Sequence, residues 1–192
     1  MRPLSIAHTE ASLDWGAQAL RILAEAQGLM RRGHQVRLIC PPEARIFAEA
    51  SAWGVPVTGA PVGRKRPVGL KAMVEWFRRN RCDVISTHSQ TDSWLAALAM
   101  LALGRPIPIV RTRHAPSPPV STNRLTRWLY TRAIARIVTT DEAARRELIE
   151  RNGYPAERID AVPTGERMLD AMERIYREVS GRPLLQRTEA KG

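Results

Sequence analysis

Cysteines and long apolar runs are scarce in this sequence of 192 residues, and their scarcity excludes several classes of protein. The two cysteines, Cys40 and Cys82, are too few for a disulfide framework and are not spaced as metal ligands. The longest apolar run, residues 95–103, is about half as long as the roughly 20 residues that a membrane-spanning helix needs. Residues 1–4 lead directly into a strand-like run, so no signal peptide is expected. These features predict a reduced, cytoplasmic chain.

Several catalytic and cofactor-binding motifs are absent from the sequence. There is no G-x-G-x-x-G, which excludes the dinucleotide-binding fingerprint. There is no H-E-x-x-H, cysteine cluster or G-x-S-x-G, so neither zinc chemistry nor a serine nucleophile is expected. The carboxylates form no pair at a spacing that would indicate a hydrolase. We therefore expect neither a metal nor a cofactor.

Acidic residues are few compared with basic ones. Thirty Lys and Arg against nineteen Asp and Glu give a formal net charge of +11. This balance favours an anionic partner, which could be a nucleic acid, an anionic membrane surface or a phosphorylated substrate. Nucleic acid is the least favoured of the three, because aromatic residues make up only 5% of the chain and no RNA- or DNA-binding motif is recognisable.

The sequence does contain a regular alternation of short apolar runs with longer amphipathic runs. This alternation predicts an α/β fold, with one Rossmann-like parallel sheet and helices on both of its faces. Strands are expected at residues 4–8, 35–40, 55–60, 83–87, 107–111, 136–139 and 159–163. Helices are expected at residues 16–32, 44–53, 68–80, 91–103, 124–135, 141–151 and 166–179. Pro116, Pro118 and Pro119 predict a loop before the helix at 124–135.

The last predicted helix follows an α/β domain that we place at residues 1–165. Its apolar side chains form one stripe, made of Met168, Leu169, Met172, Ile175, Tyr176 and Val179. A stripe this apolar favours burial, so we expect residues 166–180 to dock on the domain and cover its exposed edge. The alternative is a helix that dangles or forms a dimer. Residues 181–192 are polar, and we expect them to be a disordered tail.

Three loops are expected at the carboxyl edge of the sheet, where open α/β sheets bind ligands. The first loop runs into a helix N-terminus at Gly16, which would let a phosphate approach free N–H groups. The alternative for Gly16 is a simple turn. The other two loops carry His88 and His114, each just after a strand. Two histidines at equivalent positions would converge on one cleft and bind a sugar hydroxyl or a phosphate, or move a proton. The alternative is that each makes local hydrogen bonds.

Two stretches combine basic and apolar side chains. The first, residues 63–81, contains a group that we call the basic patch, made of Arg64, Lys65, Arg66, Lys71, Arg78 and Arg79. The second contains Arg124, Arg127, Arg132 and Arg136 around Trp128. Basic residues mixed with tryptophan are typical of a site on anionic lipid. The alternative is two solvated faces whose aromatic side chains turn into the core.

Several segments, in this order along the chain, resemble glycosyltransferase family 4. They are Trp15-Gly16-Ala17, Arg32-Gly33-His34-Gln35-Val36, Thr87-His88-Ser89, Thr112-Arg113-His114, Val138-Thr139-Thr140-Asp141, Asn152-Gly153 and Val162-Pro163-Thr164-Gly165. The resemblance runs from Pro3 to Gly165. It implies the GT-B fold, which has two Rossmann-like domains, and a retaining transfer of a sugar.

The resemblance implies that this chain is the acceptor-side half of such an enzyme. That enzyme would take a nucleotide sugar as its donor substrate and an envelope or lipid-linked glycan as its acceptor. Gly16 and Ala17 would lie near the donor diphosphate, although the family usually has a second glycine where Ala17 stands. His114 matches the catalytic histidine that faces the transferred sugar. The residues expected in the acceptor cleft are Glu10, His88 and Arg113.

The sequence departs from the family after Gly165. The family continues there into a donor-binding domain, whereas 27 residues follow Gly165 in this chain. We therefore expect that domain to be missing or to be a separate partner, and the chain alone to be inactive. The expected location is cytoplasmic, on the inner face of the membrane. The alternatives are a non-catalytic binding module derived from this fold and a basic nucleic-acid-binding protein.

Overall fold

The strands form one parallel sheet in this computed structural model, which describes residues 2–114, 119–165 and 167–181. They are β1 (Ser5–Thr9), β2 (Gln35–Cys40), β3 (Val57–Gly59), β4 (Val84–Thr87), β5 (Ile109–Arg113), β6 (Ile134–Thr139) and β7 (Ile159–Ala161). Their order across the sheet is β3-β2-β1-β4-β5-β6-β7, so the chain begins in the interior of the sheet and builds first one side and then the other. The predicted Rossmann-like parallel sheet is confirmed.

Helices cover both faces of the sheet. They are α1 (Ala17–Arg31), α2 (Arg45–Ala50), α3 (Pro67–Arg79), α4 (Gln90–Leu103), α5 (Arg124–Trp128), α6 (Glu142–Glu150) and α7 (Met168–Ser180). α1, α2 and α7 contribute to the core on one face, while α3, α4 and α6 contribute to the core on the other. A π-helical turn, Leu129–Ala133, follows α5, and a 3-10 turn, Ala156–Arg158, precedes β7.

The alternation of side chains along each strand divides the core in two. In β1, Ile6 faces the helices α1 and α7, and Ala7 faces α4. Val84 and Ile85 of β4 divide in the same way, and every residue of β4 is buried. Because both faces of the sheet are covered, its central strands bury apolar side chains on both faces, and their polar residues lie mainly toward the carboxyl ends. This explains why short apolar runs in the sequence mark the strands.

One predicted helix, residues 124–135, is too long. The helical segment ends with the π-helical turn at Ala133, and β6 begins at Ile134. β6 pairs with β5 from Ile134 onward. The pairing then skips Ala135, and Val110 of β5 pairs with the residue after it. Since this irregular pairing depends on a distant strand, the local sequence does not reveal it. Another prediction is corrected at β5, which begins at Ile109 rather than at residue 107.

Helix α7 lies beside α1 and contacts β4 and β6. Its buried side chains are Met168, Met172, Ile175, Tyr176 and Val179. A Cβ atom on Gly28 of α1 would lie 2.4 Å from Leu169 Cδ1, so the glycine lets the two helices approach closely. The helix thus docks on the α/β domain and covers one face of the sheet. On that face of the sheet, the apolar side chains of Val84, Val110 and Val138 belong to the core that the helix buries. Pro116, Pro118 and residues 182–192 of the expected tail lie outside the described residues.

Candidate functional site

A cleft opens at the carboxyl edge of the sheet, next to the point between β1 and β4 where the strand order reverses. Its walls come from the loop after β1, the first turns of α1 and the loops after β5, β6 and β7. Its lining includes Glu10, Gly16, Ala17, Arg21, His114 and Thr164. Four of the predicted site residues, Glu10, Gly16, Ala17 and His114, therefore meet in one cleft.

Helix α1 begins at this cleft, and no side chain in the described part of the chain caps its N-terminus. Gly16 is the N-cap residue, its backbone is extended, and the first turn of the helix carries no acidic residue. The first N–H groups and the positive end of the helix dipole consequently face the cleft. A Cβ atom on Gly16 would meet no described atom within 4 Å, so the approach to these N–H groups is open. Such a helix N-terminus can bind a phosphate.

Glu10 lies in the cleft directly after β1, and its side chain is almost fully buried. Its carboxylate accepts a hydrogen bond from the backbone N–H of Ser12 at 2.7 Å and another from the side-chain amide of Gln18. Burial, and then the negative charge of Asp92, raises the pKa of Glu10 to about 7. Glu10 can therefore change its protonation state near neutral pH, which suits a group that accepts a proton or a hydrogen bond from a hydroxyl.

Asp92 fixes the loop that follows β4. Its carboxylate accepts hydrogen bonds from Thr9 Oγ1 at 2.8 Å, from the backbone N–H of His88 at 2.9 Å, and from the backbone N–H and hydroxyl of Ser89. Ser89 caps α4 and forms a reciprocal capping box with Asp92. These bonds join the ends of β1 and β4 at the position of His88.

Three imidazoles lie in a row behind the cleft, and we call them the histidine chain. His114 Nε2 is 3.1 Å from His88 Nδ1, and His88 Nε2 is 2.9 Å from His8 Nδ1. All three side chains are buried, and His114 is the one that lines the cleft. Burial lowers the pKa of His8 to about 3 and, together with the positive charges of Arg111 and Arg21, that of His114 to about 3. Burial also holds the pKa of His88 well below its ordinary value, so all three imidazoles of the histidine chain are neutral at pH 7.

Two residues expected in the acceptor cleft lie elsewhere. His88 is buried behind His114, because its ring turns toward His8 and into the core. Arg113, the last residue of β5, points toward the hydroxyl of Tyr130, with Nη1 3.5 Å from that oxygen. Neither residue lines the cleft formed by the described residues. The carboxyl ends of neighbouring strands do meet, as predicted, but side chains there alternate between the cleft and the layers around it.

Sequence reasoning missed Arg21, which lies on the cleft side of α1. Its Nη1 donates to Thr164 Oγ1 at 2.7 Å, and its Nη2 donates to the carbonyl oxygen of Val162 at 2.8 Å. These bonds tie α1 to the loop after β7 and leave a positive charge in the cleft wall. The signal in the sequence is an arginine directly before Ile22 and Leu23, on the helix face that the core buries. His8 was also missed as a site histidine, because it lies inside a strand.

The structure shows that the side chains of the basic patch are exposed and that the aromatic residues beside them turn inward. Arg64, Lys65 and Arg66 are exposed in the loop before α3, and the other members of the patch are exposed on α3 itself. The aromatic residues of α3 turn inward, because Trp76 donates to Thr58 Oγ1 and Phe77 is buried. The patch is therefore a charged surface without exposed aromatic anchors, which corrects the expectation of mixed aromatic and basic contacts there.

The second basic stretch borders an apolar groove. Trp128 stacks on Trp94 with ring centroids 5.9 Å apart, and Lys65 Nζ lies 5.8 Å from the centroid of the Trp94 ring. The two basic stretches consequently meet at these two tryptophans. The groove is lined by Met100, Leu101, Ile107 and Trp128, together with Arg105 and Arg132. No helix in the described ranges is both long enough and apolar enough to cross a bilayer.

The fold and the cleft together define a class of protein. A parallel sheet in this order, with a helix N-terminus and polar strand ends at its switch point, is one Rossmann-like half of the GT-B fold. Residues 18–165 match the family described as Glycosyltransferase Family 4. The chain belongs to this family, as the resemblance of its motifs indicated.

Solved glycosyltransferase structures share this fold. A glycosyltransferase from Rickettsia africae has a TM-score of 0.68 at 15% identity, over 86% of this chain and 44% of that chain. HepE from Anabaena in complex with UDP-glucose has a TM-score of 0.68 at 16% identity, over 85% and 44%. The lipopolysaccharide outer core galactosyltransferase WaaB has a TM-score of 0.66 at 11% identity, over 85% and 46%. The chain thus spans less than half of these proteins. A search of curated proteins found no match.

Proposed function

We propose that this chain is the acceptor-side half of a retaining glycosyltransferase that uses a nucleotide sugar as its donor. The observation that carries the proposal is the cleft, where the uncapped N-terminus of α1 and His114 share one wall. The helix N-terminus would hold the donor diphosphate, and His114 would face the transferred sugar. Family membership supports this proposal, and so does HepE, whose structure contains UDP-glucose.

The acceptor would enter beside Glu10. Near neutral pH this carboxyl group exists in both protonation states, because burial raises its pKa to about 7. It can accept a hydrogen bond from a hydroxyl of the acceptor while the neutral His114 contacts the sugar. We propose an envelope or lipid-linked glycan as the acceptor. The relative WaaB, which acts on the lipopolysaccharide outer core, supports a substrate of this class.

The proposal assigns the rest of the donor site to a second domain. The chain covers 44% of the Rickettsia glycosyltransferase, so groups that bind the nucleotide in a two-domain enzyme would come from elsewhere. Electrostatic stabilisation of the leaving diphosphate is a large part of catalysis, and the uncapped N-terminus of α1 supplies only a share of it. A separate donor-binding domain is accordingly a proposed partner.

A pair of variants at Gly16 tests the diphosphate site. Both Asp and Asn fit there, because a Cβ atom would meet no described atom within 4 Å, and both cap a helix. Gly16→Asp should weaken the binding of inorganic pyrophosphate about tenfold relative to Gly16→Asn, because only the aspartate adds a negative charge. Calorimetric titration measures this ratio. Equal affinities in the two variants would place the anion elsewhere.

A second titration tests the role of His114. If its ring faces the sugar, His114→Ala should weaken the binding of UDP-glucose, the probe suggested by HepE, and leave the binding of UDP unchanged. An equal loss for both ligands would mean that His114 supports the cleft and does not contact the sugar. A non-catalytic binding module, the second candidate, would bind these ligands and still transfer no sugar when a donor-binding half is added.

We further propose that the chain attaches to anionic membranes, where a lipid-linked acceptor would be found. The support is the exposed basic patch, whose Lys65 lies over the ring of Trp94, which in turn stacks on Trp128 in the lining of the apolar groove. Leu101, which lines the groove, is 63% exposed, and Leu125, which lies in the same helix as Trp128, is 70% exposed, so apolar side chains are available next to the positive charges. Basic residues near an anionic surface each contribute about 1 kcal/mol to binding. The location would then be the inner face of the membrane.

A further inference from the structure

A buried path of polar groups leads from the cleft through the histidine chain to helix α7. At its inner end the hydroxyl of Tyr176 lies 2.5 Å from Glu25 Oε1 and 2.8 Å from Ser86 Oγ. Ser86 Oγ is 3.3 Å from His88 Nε2, and Glu25 Oε1 is 3.9 Å from His8 Nε2. Tyr176, Glu25 and Ser86 are buried, with the hydroxyl of Tyr176 in the middle. These groups form a ring behind His114 in which hydrogen-bond distances join every neighbouring pair except Glu25 and His8.

The two contacts within the histidine chain couple the protons of its three rings. A neutral imidazole has one N–H donor and one acceptor nitrogen. Each contact joins an Nε2 to an Nδ1, so one of the two must carry the proton. The three rings can satisfy both contacts in only two ways, with the proton on Nε2 in all three or on Nδ1 in all three. Whatever selects the tautomer at His8 consequently selects it at His114.

The groups at the inner end favour the first arrangement. The phenol of Tyr176 has one proton, which can donate a hydrogen bond to Glu25 Oε1 or to Ser86 Oγ. A carboxylate is the stronger acceptor, and when the phenol donates to it the hydroxyl of Ser86 is left to donate to Tyr176. Ser86 Oγ is then available as an acceptor toward His88, and Glu25 Oε1 is an acceptor that faces His8 Nε2. Both oxygens face an Nε2 atom and favour a proton there. Ser86 Oγ can share the Nε2–H of His88 with His8 Nδ1, and the negative charge of Glu25, 3.9 Å from His8 Nε2, attracts an N–H at that position.

We propose that Tyr176 and Glu25 are positioning residues that hold His114 in the Nε2–H tautomer. In that tautomer Nδ1 of His114 can accept a hydrogen bond but cannot donate one, so toward the transferred sugar it would accept a hydrogen bond from a hydroxyl. The role of His114 toward a sugar rests on the proposed function, whereas its tautomer does not. Helix α7 thereby takes part in the specificity of a cleft that it does not line.

The test is ¹⁵N NMR of the full chain labelled at histidine, because protonated and unprotonated ring nitrogens have well separated shifts. The chain has four histidines, and single substitutions assign their signals. In the wild type, His114, His88 and His8 should all carry the proton on Nε2. Tyr176→Phe and Glu25→Met should each shift the tautomer ratio of His114 about tenfold toward Nδ1–H, the size expected for one lost hydrogen bond. Tyr154→Phe, which removes another tyrosine hydroxyl outside this path, should leave it unchanged.

The outcomes separate the inference from the proposed function. An Nδ1–H tautomer at His114 in the wild type overturns the inference, as does an unchanged tautomer in Tyr176→Phe. If Glu25→Met fails to fold, Tyr176→Phe decides, since it keeps the ring and loses only one oxygen. Pyrophosphate binding at α1 should be the same in wild type and Tyr176→Phe. If the tautomer shifts as expected but pyrophosphate does not bind the wild type, the inference stands and the proposed function fails.

Discussion

The carboxyl group of Glu10 has an unusually high pKa for a residue in a surface cleft. Its pKa in the folded chain is raised to about 7 from an ordinary value of 4.5. Between these values the folded chain keeps a proton that the unfolded chain releases, so the contribution of Glu10 to the free energy of unfolding falls as the pH rises. Above pH 7 this contribution has been lost. A buried carboxylate near Asp92 therefore destabilises the fold most at alkaline pH.

We expect Glu10→Gln to become more stable relative to the wild type as the pH rises from 5 to 7. The advantage should grow by up to about 1.4 kcal/mol for each pH unit and then level off. Urea unfolding at several pH values measures it. Glu75→Gln, which removes an exposed carboxylate paired with Arg79, is the matched control and should show no such growth. A constant difference between wild type and Glu10→Gln would contradict the raised pKa.

The site residues that could be predicted are those whose position follows from the end of a strand or the start of a helix. Gly16 and His114 are of this kind, and both line the cleft. His88 was predicted to be in the cleft but turns inward, because its orientation depends on bonds to His8 and Asp92. Tyr176 was read only as a member of an apolar stripe. Its hydroxyl acquires a role through Glu25, and that contact cannot be read from local sequence.

At the scale of elements, α7 makes the clearest contribution to stability. Met172 is fully buried between α1 and the sheet. We expect Met172→Asp to lower the free energy of unfolding by about 3–5 kcal/mol, because it places a charge without a partner in the core. Deletion of the chain after Gly165 should cost more. Thermal melting measures both, and each loss should lower the melting temperature by about 10 °C or more.

Arg174→Ala is the control for Met172→Asp. It lies on the exposed side of the same helix, where it pairs with Glu178 and Asp160. Pairs this exposed contribute about 0–1 kcal/mol, so the control should melt close to the wild type. If Met172→Asp also melts like the wild type and stays monomeric, α7 does not dock on the domain in solution.

The close approach of α1 and α7 predicts a coupling between Gly28 and Leu169. In the wild type, a methyl group on Gly28 would collide with Leu169, which lies 2.4 Å from the added Cβ. In a Leu169→Ala background the same Gly28→Ala change should be stabilising by about 0.5–1 kcal/mol, because alanine favours a helix. A double-mutant cycle should therefore give a coupling of about 1–2 kcal/mol. Additive effects would show that the helices are further apart.

The sequence predicted helices and strands best where one amphipathic face or one apolar run was sufficient to identify them. α1 and β2 were predicted within a residue or two of their observed ends, since glycine and proline mark their boundaries. The segment around Ile134 was predicted as helix because its spacing suits a helix, yet it pairs with β5. For α7 the apolar stripe indicated a buried helix, but a stripe does not show which elements cover it.

For the whole molecule, we expect the isolated chain to transfer no measurable sugar from a nucleotide sugar. On the proposed function, a second domain would supply groups that stabilise the leaving diphosphate, and without them the barrier should be higher by several kcal/mol. A radiolabelled-sugar assay with and without a donor-binding half from a family relative tests this expectation. Turnover by the purified chain alone that disappears in His114→Ala would contradict it.

The exposed basic patch leads to a prediction about membranes. Vesicles that contain anionic lipid should sediment with the chain, and neutral vesicles should not. Arg64→Glu with Arg66→Glu should weaken this binding at least about tenfold, since each basic residue contributes about 1 kcal/mol. Arg146→Glu with Arg151→Glu makes the same change in charge on α6 and at the residue that follows it, and is the control. Equal losses in the two pairs would indicate attraction by net charge alone.

Two further measurements, one with added salt and one with competing DNA, complete the vesicle-binding test. Raising the salt concentration should release the chain from anionic vesicles, because the attraction is screened. If generic DNA displaces the chain from the vesicles at the same salt concentration, the nucleic-acid-binding alternative gains support. If the chain binds neither vesicles nor DNA at low salt, the patch is a solvated surface.

The contact between Glu25 and Tyr176 also sets an order of events during synthesis. The two residues are 151 positions apart in the sequence. At a translation rate of about 5–20 residues per second, Glu25 is added to the growing chain about 8–30 s before its partner. Until then the first strands and α1 can assemble only with their polar interior unpaired. The nascent chain therefore completes its core late, and a ribosome that stalls before α7 releases a domain that has every strand but not its closing helix.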